Sequence, residues 1–241
     1  LQEQMEQDAI KKSVTVDLEK KEVRVDLPFT KNPVEYMKKR HHGEKSNLKQ
    51  AQKVYQSQCK KPKIIRDAIT ETHQGLVDQG FMVKRKDLPN DIKNMINEAG
   101  FLHYMPWHIA VKEGSLSTPY RMVVDASMTG LNEILAKGEN RMTKITDILI
   151  RNRCNKYIWS SDISKLYNQL KLNPSAMPWG LFLFKDGLDI DAEPEEYVMK
   201  VAWYGVSSTG NQAHEALQTL TKEQNIDYPE ALKIIEKDLY V

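Results

Sequence analysis

Short strand-like runs alternate with longer helical segments along this sequence, and the alternation limits the folds open to it. Val14–Leu18 and Glu22–Leu27 alternate apolar and polar residues on either side of a polar turn, which predicts a β-hairpin. From residue 32 to about residue 79 the apolar spacing predicts two helices, broken near Pro62 and closed by Gly80. Together these segments predict the α+β class.

The later part of the chain contains further strand-like pairs. Trp107–Val111 and Tyr120–Val124 are β-rich and bracket the turn-prone segment 113–119, so they predict a hairpin with a long tip. The other expected elements are a short amphipathic piece at Ile92–Ile96, a helix at Ile145–Ile150, a strand at Tyr157–Ile163, a hairpin of Phe182–Phe184 with Tyr197–Val201, helices at Asn211–Lys222 and Pro229–Lys237, and a strand that begins at Asp238.

The composition excludes several classes of protein. Of the 241 residues, 40% are apolar and 28% are charged, which is too hydrophobic for general disorder and too interrupted for a membrane protein. The polar start lacks the apolar core of a secretory signal. Cys59 and Cys154 lie far apart without metal-ligand spacing, so neither a disulfide framework nor a zinc site is predicted. We therefore expect an intracellular, cytoplasmic protein without membrane contact.

The net charge of +2 is unevenly distributed along the chain. Basic residues crowd one stretch, namely Lys38, Lys39, Arg40, Lys45, Lys49, Lys53, Lys60, Lys61, Lys63 and Arg66. Acidic residues crowd another, namely Asp186, Asp189, Asp191, Glu193, Glu195 and Glu196. The basic stretch has two interpretations, a surface that attracts a polyanion or an ordinary solvated helix face.

Asp162 is the first candidate for chemistry. It follows the apolar-rich run that begins at Tyr157, so it is expected at the end of a buried strand. Nucleotidyl transfer by in-line displacement at phosphorus commonly uses two divalent metal ions about 4 Å apart, held by carboxylates. An aspartate after a strand is also a common helix N-cap, and Asp162 alone leaves both interpretations open.

The residues around Asp162 make the pattern more specific. Ser-Asp162-Ile-Ser-Lys-Leu-Tyr167, with the Asn-Gln-Leu-Lys-Leu that follows, resembles the first palm motif of reverse transcriptases. The resemblance implies that Asp162 is the catalytic carboxylate that binds Mg²⁺ (or Mn²⁺). It also implies that the ring of Tyr167 excludes a ribose 2′-OH, so that deoxynucleotides are preferred. A core tyrosine packed under the strand is the alternative for Tyr167.

A second segment matches the fingers motif of the same family. Tyr-Arg121-Met-Val-Val-Asp125-Ala-Ser, followed by Leu-Asn132, is similar to that motif. The resemblance implies that Arg121 grips the phosphates of the incoming nucleotide, that Lys112 shares this task, and that Asp125 contacts nucleic acid. A triphosphate requires fixed positive charge, and arginine adds planar bidentate donors. An exposed hairpin with ordinary surface cations is the alternative.

A third segment, Trp-Tyr204-Gly205-Val-Ser207-Ser208, resembles the second palm motif of the family. The resemblance implies that the bare Gly205 lets template and nucleotide approach the backbone. Tyr204 is then part of the nucleotide site, and Ser207 and Ser208 contact nucleic acid. Where the family has a proline, this sequence has Gly210, which departs from the pattern. An ordinary strand-to-helix turn is the alternative.

Segments farther upstream, Tyr-Met-Pro-Trp-His-Ile-Ala-Val-Lys112 and Gly80-Phe-Met-Val, are similar to polyproteins of BEL/Pao-type retrotransposons. The resemblance implies a right-hand polymerase with fingers, an antiparallel palm sheet backed by helices, and an N-terminal hairpin-and-helix extension. The expected units are this extension (1–86), the fingers (87–154) and a partial palm (155–241). The implied function is RNA-directed DNA synthesis in a retroelement particle. Its partners are an RNA template, a DNA or RNA primer, a dNTP and, in addition, a second copy or other polyprotein-derived domains.

Two alternatives from other classes stay open. The first is a domesticated, non-catalytic polymerase-derived protein that binds nucleic acid or has a structural role. The second is an adaptor that binds nucleic acid through the basic segment Lys38–Arg66. A salt-dependent affinity for RNA that survives deletion of residues 104–241 would favour the adaptor.

The family pattern at Leu239-Tyr240-Val241 is Tyr-x-Asp-Asp, and this Asp pair is not among the 241 residues. One carboxylate does not hold two metal ions in register. We therefore expect this chain alone to incorporate no dNTP in a primer-extension assay with Mg²⁺, in which a complete reverse transcriptase serves as the positive control. Measurable synthesis would show that the metal site is misplaced.

Overall fold

Helices and strands are mixed throughout the computed structural model, which describes residues 2–112, 119–139, 143–154, 156–158, 160–223, 229–230 and 233–234. Its α-helices are α1 (Gln2–Lys12), α2 (Pro33–His41), α3 (Glu44–Cys59), α4 (Lys63–Asp78), α5 (Asn90–Asn97), α6 (Ile145–Asn152) and α7 (Thr209–Glu223). Its strands are β1 (Val14–Asp17), β2 (Glu22–Val25), β3 (Met82–Lys84), β4 (Trp107–Val111), β5 (Tyr120–Val124), β6 (Leu170–Leu172), β7 (Leu181–Phe184) and β8 (Glu195–Met199). The predicted α+β class is confirmed.

The described strands form small sheets that join distant parts of the sequence. β1 and β2 are antiparallel, with Val14 opposite Val25, and β6 adds to β2 in parallel, with Val25 opposite Leu172. β8 lies between β3 and β7 and is antiparallel to both. β4 and β5 form the predicted antiparallel hairpin. Because β2 and β3 pair with β6 and β8, the sheets link residues 1–86 to residues 155–241.

The helical region contains three helices where the sequence predicted two. The break near Pro62 is confirmed, but a second break separates α2 from α3 at His42 and Gly43, whose φ angles are +47° and +102°. Gly80 closes α4 as predicted: its N–H donates to the Val77 carbonyl and the Phe81 N–H to the Leu76 carbonyl, both at 2.9 Å. The break that was not predicted depends on the left-handed backbone conformation of His42, which the residue type alone does not indicate.

Helix α1 was not predicted, because its surface is almost wholly polar. Of its residues Gln7 and Ile10 are buried, and the helix packs against α7. The Glu6 carboxylate accepts hydrogen bonds from the backbone N–H groups of Lys137 and Gly138, at 3.0 and 3.3 Å. Tertiary contacts therefore hold a helix whose apolar pattern is weak. Within the described part, the helices are all too short or too polar to cross a membrane.

The predicted strand Tyr157–Ile163 was wrong. Its described residues are not in a strand, and the side chains of Tyr157 and Ile158 are 82% and 64% exposed. β-branched and aromatic residues favour a strand only where a partner strand and a packed face are present. The described residues supply neither a partner strand nor a packed face here. Residue 159 lies outside the described residues. Most of the predicted helix Pro229–Lys237 and the predicted strand from Asp238 also lie outside them.

A buried histidine lies at the centre of the packing between α4 and the β7–β8 pair. The ring of His73 stacks on Phe184 with 3.5 Å between ring centroids, and Tyr197 meets it edge-on at 4.5 Å. Neither ring nitrogen has a hydrogen-bond partner among the described residues. Burial, assisted by the positive charge of Lys84, lowers the pKa of His73 to about 3. His73 is therefore neutral in the folded protein near pH 7.

We expect His73→Phe to stabilise the protein and to reduce its sensitivity to acid. The unfolded chain binds a proton at the ordinary pKa of 6.5 and the folded chain only near 3, so His73 makes stability fall as the pH decreases between these values. Phenylalanine keeps the stacking and removes two unpaired polar atoms. Urea unfolding between pH 4 and pH 7 measures both effects. An unchanged pH dependence in the variant would contradict the assignment.

Candidate functional site

The β4–β5 hairpin carries the two cations that were expected to hold phosphates. Arg121 lies opposite Ala110 in the register, and Lys112 follows two residues after Ala110. Because side chains alternate along a strand, both cations project from one face of the hairpin. Both are exposed. The Lys112 N–H donates to the Pro119 carbonyl at 2.8 Å, and the hairpin tip at 113–118 lies outside the described residues.

A close backbone contact joins this hairpin to the segment that contains Tyr204 and Gly205. The Val124 N–H donates to the Tyr204 carbonyl at 3.1 Å. Gly205 has a φ of +105°, and a Cβ on it would overlap the Val124 carbonyl oxygen. Glycine is thus required twice, for its backbone angle and for its missing side chain. In this structure the group that approaches Gly205 is the protein's own strand β5.

Tyr204 is the side chain around which the predicted site residues gather. Its ring lies 4.9 Å from the ring of Tyr167, measured between centroids, and it is 36% exposed. Burial raises the pKa of Tyr204, the nearby Arg121 lowers it, and Tyr167 and Asp162 raise it further. Arg121, Tyr167 and Asp162 are therefore all within electrostatic range of one phenol.

Tyr167 is held between the Tyr204 ring and the first turn of α7. It lies in a 3-10 turn, Leu166–Gln169, that begins after Lys165 in a left-handed conformation with a φ of +53°. Its hydroxyl lies 3.5 Å from the position that a Cβ on Gly210 would occupy. This is ordinary van der Waals distance, so Tyr167 does not require glycine at position 210, where the sequence departs from the family pattern. The half-buried Tyr167 has one side in the packing and the other toward the surface.

The local structure around Asp162 differs from the one that the sequence predicted. Asp162 is exposed and stands in a non-regular segment instead of at the end of a buried strand. Its charge nevertheless acts on Tyr204, whose pKa it raises. Among the described residues, no three His, Cys, Asp or Glu side chains come together as a metal site.

The residues expected to contact nucleic acid have structural contacts. The Asp125 carboxylate accepts from the Met128 N–H at 2.8 Å and so caps the turn after β5. The Ser207 N–H donates to the Asn132 side chain at 2.9 Å. Ser208 is 0% exposed, and its hydroxyl has no hydrogen-bond partner in the described ranges. Of the three, Ser208 lies farthest from a surface that nucleic acid would contact.

Asn132 positions the loop that contains Gly205, a role that the fingers motif did not indicate. Its side-chain Nδ2 donates to the Gly205 carbonyl and to the Ser127 hydroxyl, each at 3.0 Å, and its Oδ1 accepts from the Ser207 N–H. An amide is suited to this place because it donates and accepts on one planar group. In the sequence, the one indication of this role is that Asn132 directly follows the Gly130-Leu131 turn.

We expect Gly205→Ala to be far more destabilising than Gly43→Ala, the matched control. Gly43 has nearly the same φ, +102°, but no atom lies within 4 Å of the position of its Cβ. The control therefore loses only the backbone preference, about 1–3 kcal/mol. Gly205→Ala loses this plus about 1–3 kcal/mol for the overlap with Val124. Urea unfolding of both variants measures the difference, and equal losses would contradict the close contact.

Comparison of the sequence with models of known protein families gives no match, and comparison with curated proteins gives none either. Any functional conclusion therefore depends on the sequence motifs and on the side chains that the fold gathers around Tyr204.

Proposed function

We propose that the chain is the fingers and part of the palm of an RNA-directed DNA polymerase of the BEL/Pao retrotransposon type. Its reaction is nucleotidyl transfer from a dNTP to a primer 3′-OH. The observation that supports this most is that Asp162, Tyr167 and Arg121 all act electrostatically on Tyr204, because the four residues come from three separate motifs. In this interpretation the β4–β5 hairpin belongs to the fingers, and the β7–β8 pair and α7 belong to the palm.

The cationic face of the hairpin binds the triphosphate. Arg121 and Lys112 project from the same face of the hairpin, and the charge of Arg121 acts on Tyr204. Their two positive charges attract the negative β- and γ-phosphates. The planar Arg121 guanidinium also donates two parallel hydrogen bonds to a phosphate. Charge-assisted bonds of this kind contribute about 1.5–3 kcal/mol each.

Asp162 suits a magnesium ion that arrives with the nucleotide. Mg²⁺ is usually bound by one or two carboxylates together with substrate phosphates, so an exposed carboxylate opposite a cationic phosphate site has the right chemistry. When bound, the ion would neutralise phosphate charge and orient the reacting oxygens. Within the chain, Asp162 would hold the ion, and Arg121 binds phosphate oxygens directly.

The paired rings of Tyr167 and Tyr204 form the wall on which the sugar rests. Their centroids are 4.9 Å apart and their planes are inclined at 43°. The Tyr167 hydroxyl lies against Gly210 in the first turn of α7, and this position restrains the ring that would meet a 2′-OH. A sugar without that hydroxyl fits against the ring, which makes the site selective for dNTP over rNTP.

Binding of a Mg²⁺–dNTP complex tests this function. We expect Arg121→Ala to weaken binding at least about tenfold, equal to about 1.4 kcal/mol, because it removes charge-assisted bonds to phosphate. Arg24→Ala, a change of the same charge on β2, is the control and leaves the affinity unchanged. Titration calorimetry on the chain bound to a chain-terminated primer–template measures both.

Two results would count against the proposal. Unaltered dNTP affinity in Arg121→Ala would remove the hairpin from the phosphate site. Primer–template binding with no dNTP binding at all would instead favour the non-catalytic nucleic-acid-binding alternative.

A further inference from the structure

Two concave surfaces outside the proposed site are lined by cations. The first, which we call the α3 groove, has a volume of about 290 Å³ and is lined by His41, Ser46, Lys49, Gln50 and Lys53. The second, which we call the β3 pocket, has a volume of about 420 Å³ and is lined by Lys84, Arg85, Lys86, Lys93, Asn97, Glu195 and Glu196. They differ in that carboxylates line the β3 pocket but not the α3 groove.

In the β3 pocket, two carboxylates of the protein bind three of the four cations. The Glu195 carboxylate binds the ammonium groups of Lys84 and Lys86, each at 2.7 Å, and Glu196 binds Arg85 at 2.5 Å. The hydrogen bonds from Lys84 and Lys86 lower the pKa of Glu195 to about 2. Lys93 donates to the Lys86 carbonyl at 3.1 Å. These cations already have partners, so this pocket serves to join β3 to β8.

The α3 groove differs in this respect. Its lining contains no carboxylate, and neither Lys49 nor Lys53 forms a salt bridge within the described part of the chain. The two lysines are four residues apart on α3, where like charges repel each other. Lys45 continues the row one turn earlier, so three exposed ammonium groups follow one another along the helix at steps of about 6 Å.

Both walls of the groove are fixed in place by buried polar side chains. His41 in α2 bonds through Nε2 to the Thr129 carbonyl at 3.0 Å. Asn47 in α3 accepts from the Tyr104 N–H at 2.6 Å and donates to the Tyr104 carbonyl at 3.1 Å. The groove is therefore preorganised, and the repulsion between Lys49 and Lys53 is not relieved by movement of the helices.

We propose that the α3 groove binds the phosphate backbone of a single-stranded nucleic acid, for which RNA is the probe. Ammonium groups, the Ser46 hydroxyl and the Gln50 amide are all donors for phosphate oxygens. The extension of the row to Lys45, together with Lys38 and Lys39 on the adjacent α2, favours a polymer of phosphates over a single ion, because further charges need further phosphates. This second contact does not depend on the proposed function at Tyr204.

Anisotropy of a labelled single-stranded RNA, measured from 50 to 300 mM salt, tests the proposal. Lys49→Ala with Lys53→Ala should weaken binding at least about tenfold and reduce the slope of log K against log salt by about 1.4, since each lost contact to a single strand contributes about 0.7. The matched control, Lys86→Ala with Lys93→Ala, removes the same charge from the β3 pocket and should change neither quantity. Lys49 and Lys53 are exposed positions of α3, where alanine preserves the helix.

Three outcomes would overturn the proposal. Equal losses in the two double variants would show that only net charge matters. Poly-L-glutamate that binds as tightly as RNA would show a general polyanion surface, and inorganic phosphate that displaces RNA at constant ionic strength would show a site for a single ion. Titration with Mg²⁺–dNTP separates the two sites: its affinity should be unchanged in Lys49→Ala with Lys53→Ala, whatever happens at Arg121.

Discussion

The contact between Gly205 and the Val124 carbonyl, with the Val124 N–H bonded back to Tyr204, is the constraint on which the candidate site depends. It fixes the β4–β5 hairpin against the loop before α7. Without it, Arg121 would move independently of Tyr204 and Tyr167. Asn132 reinforces the same junction from the side by binding both Gly205 and Ser207. A polar site is thus assembled by backbone contacts that any side chain on Gly205 would obstruct.

Much of the fold follows from local sequence signals. The hairpins at β1–β2 and β4–β5 were predicted from alternation and turn residues, and the end of α4 from Gly80. Features that depend on distant partners were missed, such as the parallel addition of β6 to β2 and the helix α1. The strand predicted at Tyr157–Ile163 is absent for a related reason. Residues with strand propensity form a strand only beside a partner strand, and without one the described residues of this segment are exposed and non-regular.

The candidate site was predicted in its residue types more fully than in its geometry. Sequence motifs singled out Arg121, Asp162 and Tyr167, and the fold brings them near Tyr204. Motifs did not indicate that Ser208 is buried, because burial depends on what packs against α7. Electrostatics adds a distinction that composition hides. The β3 pocket and the α3 groove are both lined by lysines, but only Lys84 and Lys86 of the β3 pocket have carboxylate partners among the described residues.

Anomalous diffraction from crystals grown with Mn²⁺ and a dNTP would test the central claim most directly, because it locates the ion and the triphosphate together. The account predicts a manganese peak at the Asp162 carboxylate, with phosphate density between it and Arg121 and the sugar against Tyr167. Manganese and nucleotide bound elsewhere on the protein, with Asp162 and Arg121 contacting neither, would contradict it.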